Sequence, residues 1–307
     1  MIQKVGMIGR GAIGVLFADL IQEKIGKENF AFICDEKRAE NYRNNPVFCN
    51  GRKMDFQYVS CKEAFGPVDL LIIAVKGPVL EQSLESVRDF VEKDTVILSL
   101  LNGISSERIV EQELGQGIVL HSIAQLMDAV KLGNQVTYTK TGEIVIGTDD
   151  HKKKEALEET ERFFRRIHFP HHKAEDVIHE QWSKLMLNCG INQVCAVYDV
   201  PYDGCQKPGK LRELFVDTMK EVQQIAKLEG IFLTDEEIHQ WVDAVDRLSP
   251  QAMPSMRQDM LAGRKTEVEL FSGTIMKLGK KHGVPVPVNE ALYRKIVEKE
   301  KNDLTSF

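Results

Sequence analysis

Lys184, Asn188 and Asn192 recur at intervals of four in Gln181-Trp-Ser-Lys-Leu-Met-Leu-Asn-Cys-Gly-Ile-Asn-Gln-Val-Cys-Ala196. On a helix of about 3.6 residues per turn they form one slowly drifting polar stripe. Trp182, Leu185, Met186, Leu187, Ile191, Val194, Cys195 and Val197 surround them, so the helix is apolar nearly all round and is expected to be buried. Buried polar groups need partners or a water-lined cleft. Two readings are open. The stripe is a polar seam bonded to a neighbouring helix, with the lysine snorkelling to the surface; or it is a cleft wall offering one proton donor and two amides to a small, oxygen-rich substrate.

A second pattern with chemical content opens the chain. Lys4–Gly9 reads as a short buried strand that runs into Gly9-Arg10-Gly11-Ala12-Ile13-Gly14 and then into a helical pattern through Val15, Leu16, Ala18, Leu20 and Ile21. In G-x-G-x-x-G between strand and helix, the first glycine makes the tight turn. The second lets backbone approach a pyrophosphate, and the third lets helix pack on strand. The helix N-terminus adds free N–H groups and the positive end of a dipole. Residues 9–14 are therefore candidate cofactor contacts. Asp35 ends the next strand, Phe30–Cys34, where a carboxylate accepts from ribose hydroxyls and repels a 2′-phosphate; the alternative is an ordinary strand-end turn residue. Lys76 and Asn102 end two further apolar runs, Val68–Lys76 and Thr95–Gly103, which read as central parallel strands, and ligands bind outside such ends; the alternative for Asn102-Gly103 is a plain turn.

Helices are expected at about 78–91, 104–114 and 151–166, a strand at Gly117–Gln125, and a hairpin from Gln135–Lys140 and Glu143–Gly147. Past Pro170 the periodicity is helical, at about 174–198, 209–229, 234–247, 255–262, 265–282 and 288–300. The expected fold class is an α/β N-terminal Rossmann-type dinucleotide-binding domain, residues 1–172, followed by an all-α substrate domain, residues 173–307. That order would set the cofactor at the base of a cleft with the Lys184 helix as its opposing wall.

A net charge of −6 gives no reason to expect nucleic acid. No apolar run approaches the ~18 residues of a membrane span, and the first residues carry no signal-peptide pattern. The six cysteines lack C-x-x-C spacing, which favours reduced thiols in a cytoplasmic protein. His168, His171 and His172 lack ligand-like partners and read as a solvated turn rather than a metal site. The oligomeric state is left open, a homodimer included.

Pro254–Gly273 is the last stretch that composition does not explain. Ser255 follows a proline at a helix start, where capping is its ordinary role, and Thr266-Glu267 is also compatible with a capping start. Together, Gly9–Gly14, Val75-Lys76, Asn102-Gly103, Lys184-x3-Asn188-x3-Asn192, Pro254-Ser-Met-x-Gln-Asp, Gly263-Arg-x-Thr-Glu267 and His282-Gly-Val-Pro-x-Pro-x-Asn289 resemble the 2-dehydropantoate 2-reductase (ketopantoate reductase) family. The resemblance implies NADPH-dependent reduction of 2-dehydropantoate to (R)-pantoate, on the way to pantothenate and coenzyme A. It makes Lys184 the catalytic lysine and Glu267 the active-site glutamate. Asn102, Asn188, Asn192 and Ser255 match substrate- or cofactor-contacting positions, with Lys184 and Glu267 also touching substrate.

The sequence departs from that family at three places. Asp35 stands where an arginine is usual, so NADH is expected to be a usable or even preferred donor beside NADPH. Glu269 and Ser272 replace an Asp and an Asn, and His121-Ser-Ile-Ala-Gln-Leu-Met-Asp replaces a Thr/Gly-rich pattern. The competing functions are a reductase of another 2-oxo acid and a non-catalytic NAD(P)-binding regulator. Retention of both Lys184 and Glu267 argues against the regulator.

Overall fold

Val5–Ile8, Phe30–Ile33, Leu70–Ile73 and Val96–Ser99 are buried at every residue, as strands covered on both faces of a parallel sheet must be. The computed structural model describes Met1–Leu304. In chain order the strands are β1 (Val5–Ile8), β2 (Phe30–Ile33), β3 (Phe48–Cys49), β4 (Arg52–Lys53), β5 (Tyr58–Val59), β6 (Leu70–Ile73), β7 (Val96–Ser99), β8 (Ile118–Met127), β9 (Val130–Leu132), β10 (Gln135–Thr137), β11 (Thr141–Gly147) and β12 (His171–Lys173). The helices are α1 (Ala12–Ile25), α2 (Glu36–Asn44), α3 (Leu80–Leu84), α4 (Ser106–Leu114), α5 (Lys154–Arg166), α6 (Val177–Leu187), α7 (Gln193–Tyr198), α8 (Asp203–Gln206), α9 (Lys210–Leu228), α10 (Asp235–Asp246), α11 (Ser255–Leu261), α12 (Thr274–His282) and α13 (Pro287–Leu304). By backbone contacts the chain divides into two compact units: Met1–Asn102 with Ser106–Val177, and Gly103–Ser105 with the chain from Ile178 on.

The first unit holds an eight-stranded sheet in the order β12-β11-β8-β7-β6-β1-β2-β5. From β5 to β8 all pairs are parallel, with Val5 opposite Phe30 on one side and Leu70 on the other; β11 returns antiparallel to β8. The chain leaves β1 towards β2 and β5 and then crosses to β6, so the strand order reverses between β1 and β6. Ligands of open α/β sheets bind outside the carboxyl ends at such a point. A core rich in aromatic rings lies under the sheet, with Phe17 and Phe164 wholly buried and both rings about 5 Å from Phe169.

A small second sheet, ordered β4-β3-β10-β9, packs on α1. Its clamp is Arg52, whose guanidinium meets the buried Asp19 carboxylate of α1 at 2.5 and 2.7 Å. The hairpin expected from 135–140 and 143–147 does not form. β10 pairs with β9 and β3, while β11 pairs with β8. Both runs alternate, so periodicity marked them as strands without choosing their partners. Gly133, at φ 57°, allows the β9–β10 turn instead, and Asp128 accepts from the Thr139 and Lys140 N–H groups at 2.8 Å. The solvated turn expected of the histidines holds for His168, exposed in the turn that follows α5 at φ 51°, but not for His171 and His172, since His171–Lys173 is β12, parallel to β11.

In the second unit, Phe215, Met219, Val222 and Ile225 make one wholly buried face of α9. A π turn, Asn188–Asn192, joins α6 to α7. Gly190 permits its close approach to α9, since a Cβ there would stand 2.5 Å from the Phe215 ring. A second π turn, Glu269–Gly273, precedes α12, so the helix expected from 265 begins later. Thr266 lies before it, its N–H and hydroxyl both donating to Glu300 at 2.8 and 2.6 Å. Asn289 ties this turn to α9 and α13. It accepts from the Ser272 hydroxyl at 2.7 Å and donates to Glu221, which also takes the Val288 and Asn289 N–H groups. All six cysteines are free thiols. Among the described residues, no helix is long and apolar enough to cross a membrane, and no cluster of three His, Cys, Asp or Glu is set to hold a metal.

Candidate active site

The glycine-rich turn joins β1 to α1 at the reversal of strand order. Gly9 has φ 98°, and a Cβ on it would stand 2.3 Å from the Ala74 carbonyl that follows β6. A Cβ on Gly14 would stand 1.9 Å from the Gly9 carbonyl. Both positions therefore demand glycine. Gly11 differs: a Cβ there would meet only the Ala74 oxygen, at 3.9 Å. Its face is open, the arrangement that lets a phosphate approach backbone. Gly11 is also the N-cap of α1, and no side chain caps that helix, so its first N–H groups suit an anion. Lys76 and Asn102 follow β6 and β7 at the same sheet edge, the first exposed and the second half-buried. This end of the first unit thus fits a dinucleotide.

Two side chains of that region do something the sequence did not announce. Asp35 is the N-cap of α2, its Oδ1 accepting from the Arg38 N–H at 2.8 Å and its Oδ2 3.4 Å from Arg38 Nε. The carboxylate is engaged by its own helix. Asp35→Ala should cost stability by about 1 kcal/mol, the usual worth of an N-cap, and leave the NADH-to-NADPH preference within about threefold, or under 0.7 kcal/mol. Equilibrium denaturation and paired kcat/KM values check this; collapse of NADH use in the variant would restore the ribose role. Arg10 is turned away from the open face of Gly11. Its Nη1 donates to the Tyr42 and Asn45 carbonyls and the Tyr58 hydroxyl, and its guanidinium stacks 3.8 Å over the Tyr42 ring.

In the second unit, Lys184 lies in the last turn of α6, four residues before Asn188. Burial drives its ammonium down to about 8, and the Glu267 carboxylate works against that shift. Asn188 and Asn192, both buried, lie within the π turn, and Asn192 Nδ2 donates to Asn188 Oδ1 at 3.2 Å. The Asn188 Nδ2 group is buried with no partner. A buried donor left open this way points to a ligand acceptor. The π turn touches both α11 and the turn Glu269–Gly273, so the segments carrying Ser255 and Glu267 converge on it. Ser255 is exposed and is the first residue of α11, whose N-cap is Pro254, so it does not cap the helix. Glu267 is buried just before the second π turn. The two residues that looked like substrate-altering replacements are engaged elsewhere. Ser272 serves Asn289, and Glu269 accepts from the Tyr293 hydroxyl.

Residues 5–151 match the family model described as Ketopantoate reductase PanE/ApbA, and residues 176–300 match its C-terminal model. The chain belongs to the ketopantoate reductase family. Similar proteins include the 2-dehydropantoate 2-reductases of Pyrococcus horikoshii, 26% identical over 97% of both chains, and of Aquifex aeolicus, 26% identical over 98% of both. Among solved structures, a D-mandelate dehydrogenase with NADH and anilino(oxo)acetate superposes with a TM-score of 0.87, at 24% identity, over 98% of this chain and 99% of the other. That likeness is one of fold. Membership accounts for the type of enzyme, an oxidoreductase with a nicotinamide dinucleotide. One neighbour of the glycine-rich turn escaped the sequence reading. Lys131 of β9 donates to the Arg10 carbonyl; in Val-Lys-Leu it has the look of any solvent-facing strand lysine.

Proposed function

We propose that this protein is a 2-dehydropantoate 2-reductase, reducing the ketone of 2-dehydropantoate to (R)-pantoate with NADPH as donor. The observation that carries the reading is Lys184, an ammonium brought to about 8 by burial beside Glu267, in a chain of this family. Residues 9–14 hold the dinucleotide, with Lys76 and Asn102 at the same edge. When bound, the cofactor supplies the hydride. As the carbonyl carbon accepts it, the oxygen becomes an alkoxide and needs a cation and a proton. Lys184 Nζ provides both, and its charge acts most strongly as the alkoxide develops. The open Nδ2 of Asn188 donates to a substrate oxygen, with Asn192 fixing that amide through its own donated bond. Ser255 offers a hydroxyl to the substrate carboxylate, and Glu267 accepts from the substrate hydroxyl. Asp35 does not oppose NADPH in this reading, because Arg38 occupies its carboxylate. Six free thiols, Cys61 among them exposed, support a cytoplasmic setting.

The test is loss of nicotinamide absorbance on 2-dehydropantoate, with NADPH and NADH side by side and a panel of other 2-oxo acids. Turnover should be highest on 2-dehydropantoate with NADPH. A higher kcat/KM for another member of the panel would move the assignment to that acid.

A further inference from the structure

The side chains of Arg10 and Lys131 form a pair of cations beside the glycine-rich turn, whose backbone holds the dinucleotide in the reading above. Arg10 is only 9% exposed, and its Nε is buried with no hydrogen-bond partner. Lys131 is half-buried, and its Nζ donates to the backbone carbonyl of Arg10. Burial, then the neighbouring Arg10, lower the Lys131 pKa. Neither side chain makes an ion pair among the described residues; their acceptors are carbonyls and one phenol. Desolvated cations packed together without a carboxylate are costly, and natural sites of this kind have a counter-charge. Among the described residues the Tyr42 and Tyr58 rings face the guanidinium but no carboxylate pairs with either cation, and Arg10 Nε is left over, so an anion fits there.

The direction of Arg10 identifies which anion. A pyrophosphate is already served by the uncapped start of α1 and the open face of Gly11. The Arg10 guanidinium is carried the other way, to the C-terminal end of α2 and to Tyr58 of β5, which pairs with Phe32 of β2. On this fold the adenosine ribose of a dinucleotide sits off the end of β2. Asp35 at that strand end is engaged by Arg38, itself a further cation. Resting on the dinucleotide reading, we propose that Arg10 and Lys131 hold the 2′-phosphate of NADPH, and that Lys131, from a strand outside the parallel sheet, sets the preference for NADPH over NADH.

Fluorescence titration with NADPH and NADH, and calorimetry with adenosine 2′,5′-bisphosphate and ADP, test it on the full chain. Lys131→Met should weaken NADPH and the bisphosphate on the order of tenfold or more, the scale of one charge-assisted bond. NADH and ADP should stay within about twofold. The melting temperature should not fall, because an uncompensated cation has been removed, and Lys131→Arg should keep the preference. Equal weakening of NADH and NADPH would move the lysine to the pyrophosphate and overturn the assignment, as would unchanged NADPH affinity. Failure of the wild-type protein to bind either dinucleotide would instead overturn the underlying reading, before any variant is compared.

Discussion

Lys184→Ala should lower kcat by roughly 10²-fold or more, the usual scale for loss of a general acid, while the Kd for NADPH stays within about twofold. Its pH signature is more telling than its size. The lysine acts in its protonated form, and burial sets its pKa at about 8 against the partial opposition of Glu267. The wild-type kcat/KM should therefore be level on the acid side and fall as pH rises through about 8. In Lys184→Ala that basic limb should vanish along with most of the rate. Lys184→Arg separates the two duties of the side chain, because it keeps the cation but holds its proton too tightly to release it. It should recover part of the loss and show no limb near 8. Turnover near the wild-type value in the alanine variant would end the proton-donor role. The stripe would then be a polar seam between helices.

The parts of the molecule that repeat a simple period were readable from the chain. Continuous apolar runs gave β1, β2, β6 and β7, and three glycines between a strand and a helix gave the turn at 9–14. What periodicity does not encode is partner choice and side-chain direction. β10 and β11 each alternate correctly, yet the turn at Gly133 and the Asp128 carboxylate send them to different sheets. Asp35 was legible as the residue ending β2, but not as a cap, since both outcomes put a carboxylate at a strand end. The stripe of Lys184, Asn188 and Asn192 was drawn on a regular α-helix. The π turn changes the angular step between its last two members, and their amides meet each other. Its cause is local: Gly190 lets the backbone press on Phe215, a contact no sequence window displays. Lys131 was beyond reach for a similar reason, since its neighbour Arg10 lies over a hundred residues away.

Glu267→Gln should change the pH profile as well as the rate, and the two effects have separate origins. The carboxylate is the group that holds the Lys184 pKa up against burial. With a neutral amide in its place, desolvation acts unopposed and the lysine pKa falls further below its ordinary value. The basic limb of kcat/KM should therefore move to lower pH than the wild-type value of about 8. Loss of the acceptor for the substrate hydroxyl should also raise KM for 2-dehydropantoate and lower kcat, each by roughly tenfold, because a misoriented ketone is a poor hydride acceptor. NADPH affinity should be unchanged. A purely structural role predicts otherwise. Glu267 is buried beside Thr266, which Glu300 anchors, so a prop at this position would reveal itself as a lowered melting temperature with the limb unmoved. The position of the limb in Glu267→Gln thus decides between a carboxylate that tunes the proton donor and one that merely fills its turn.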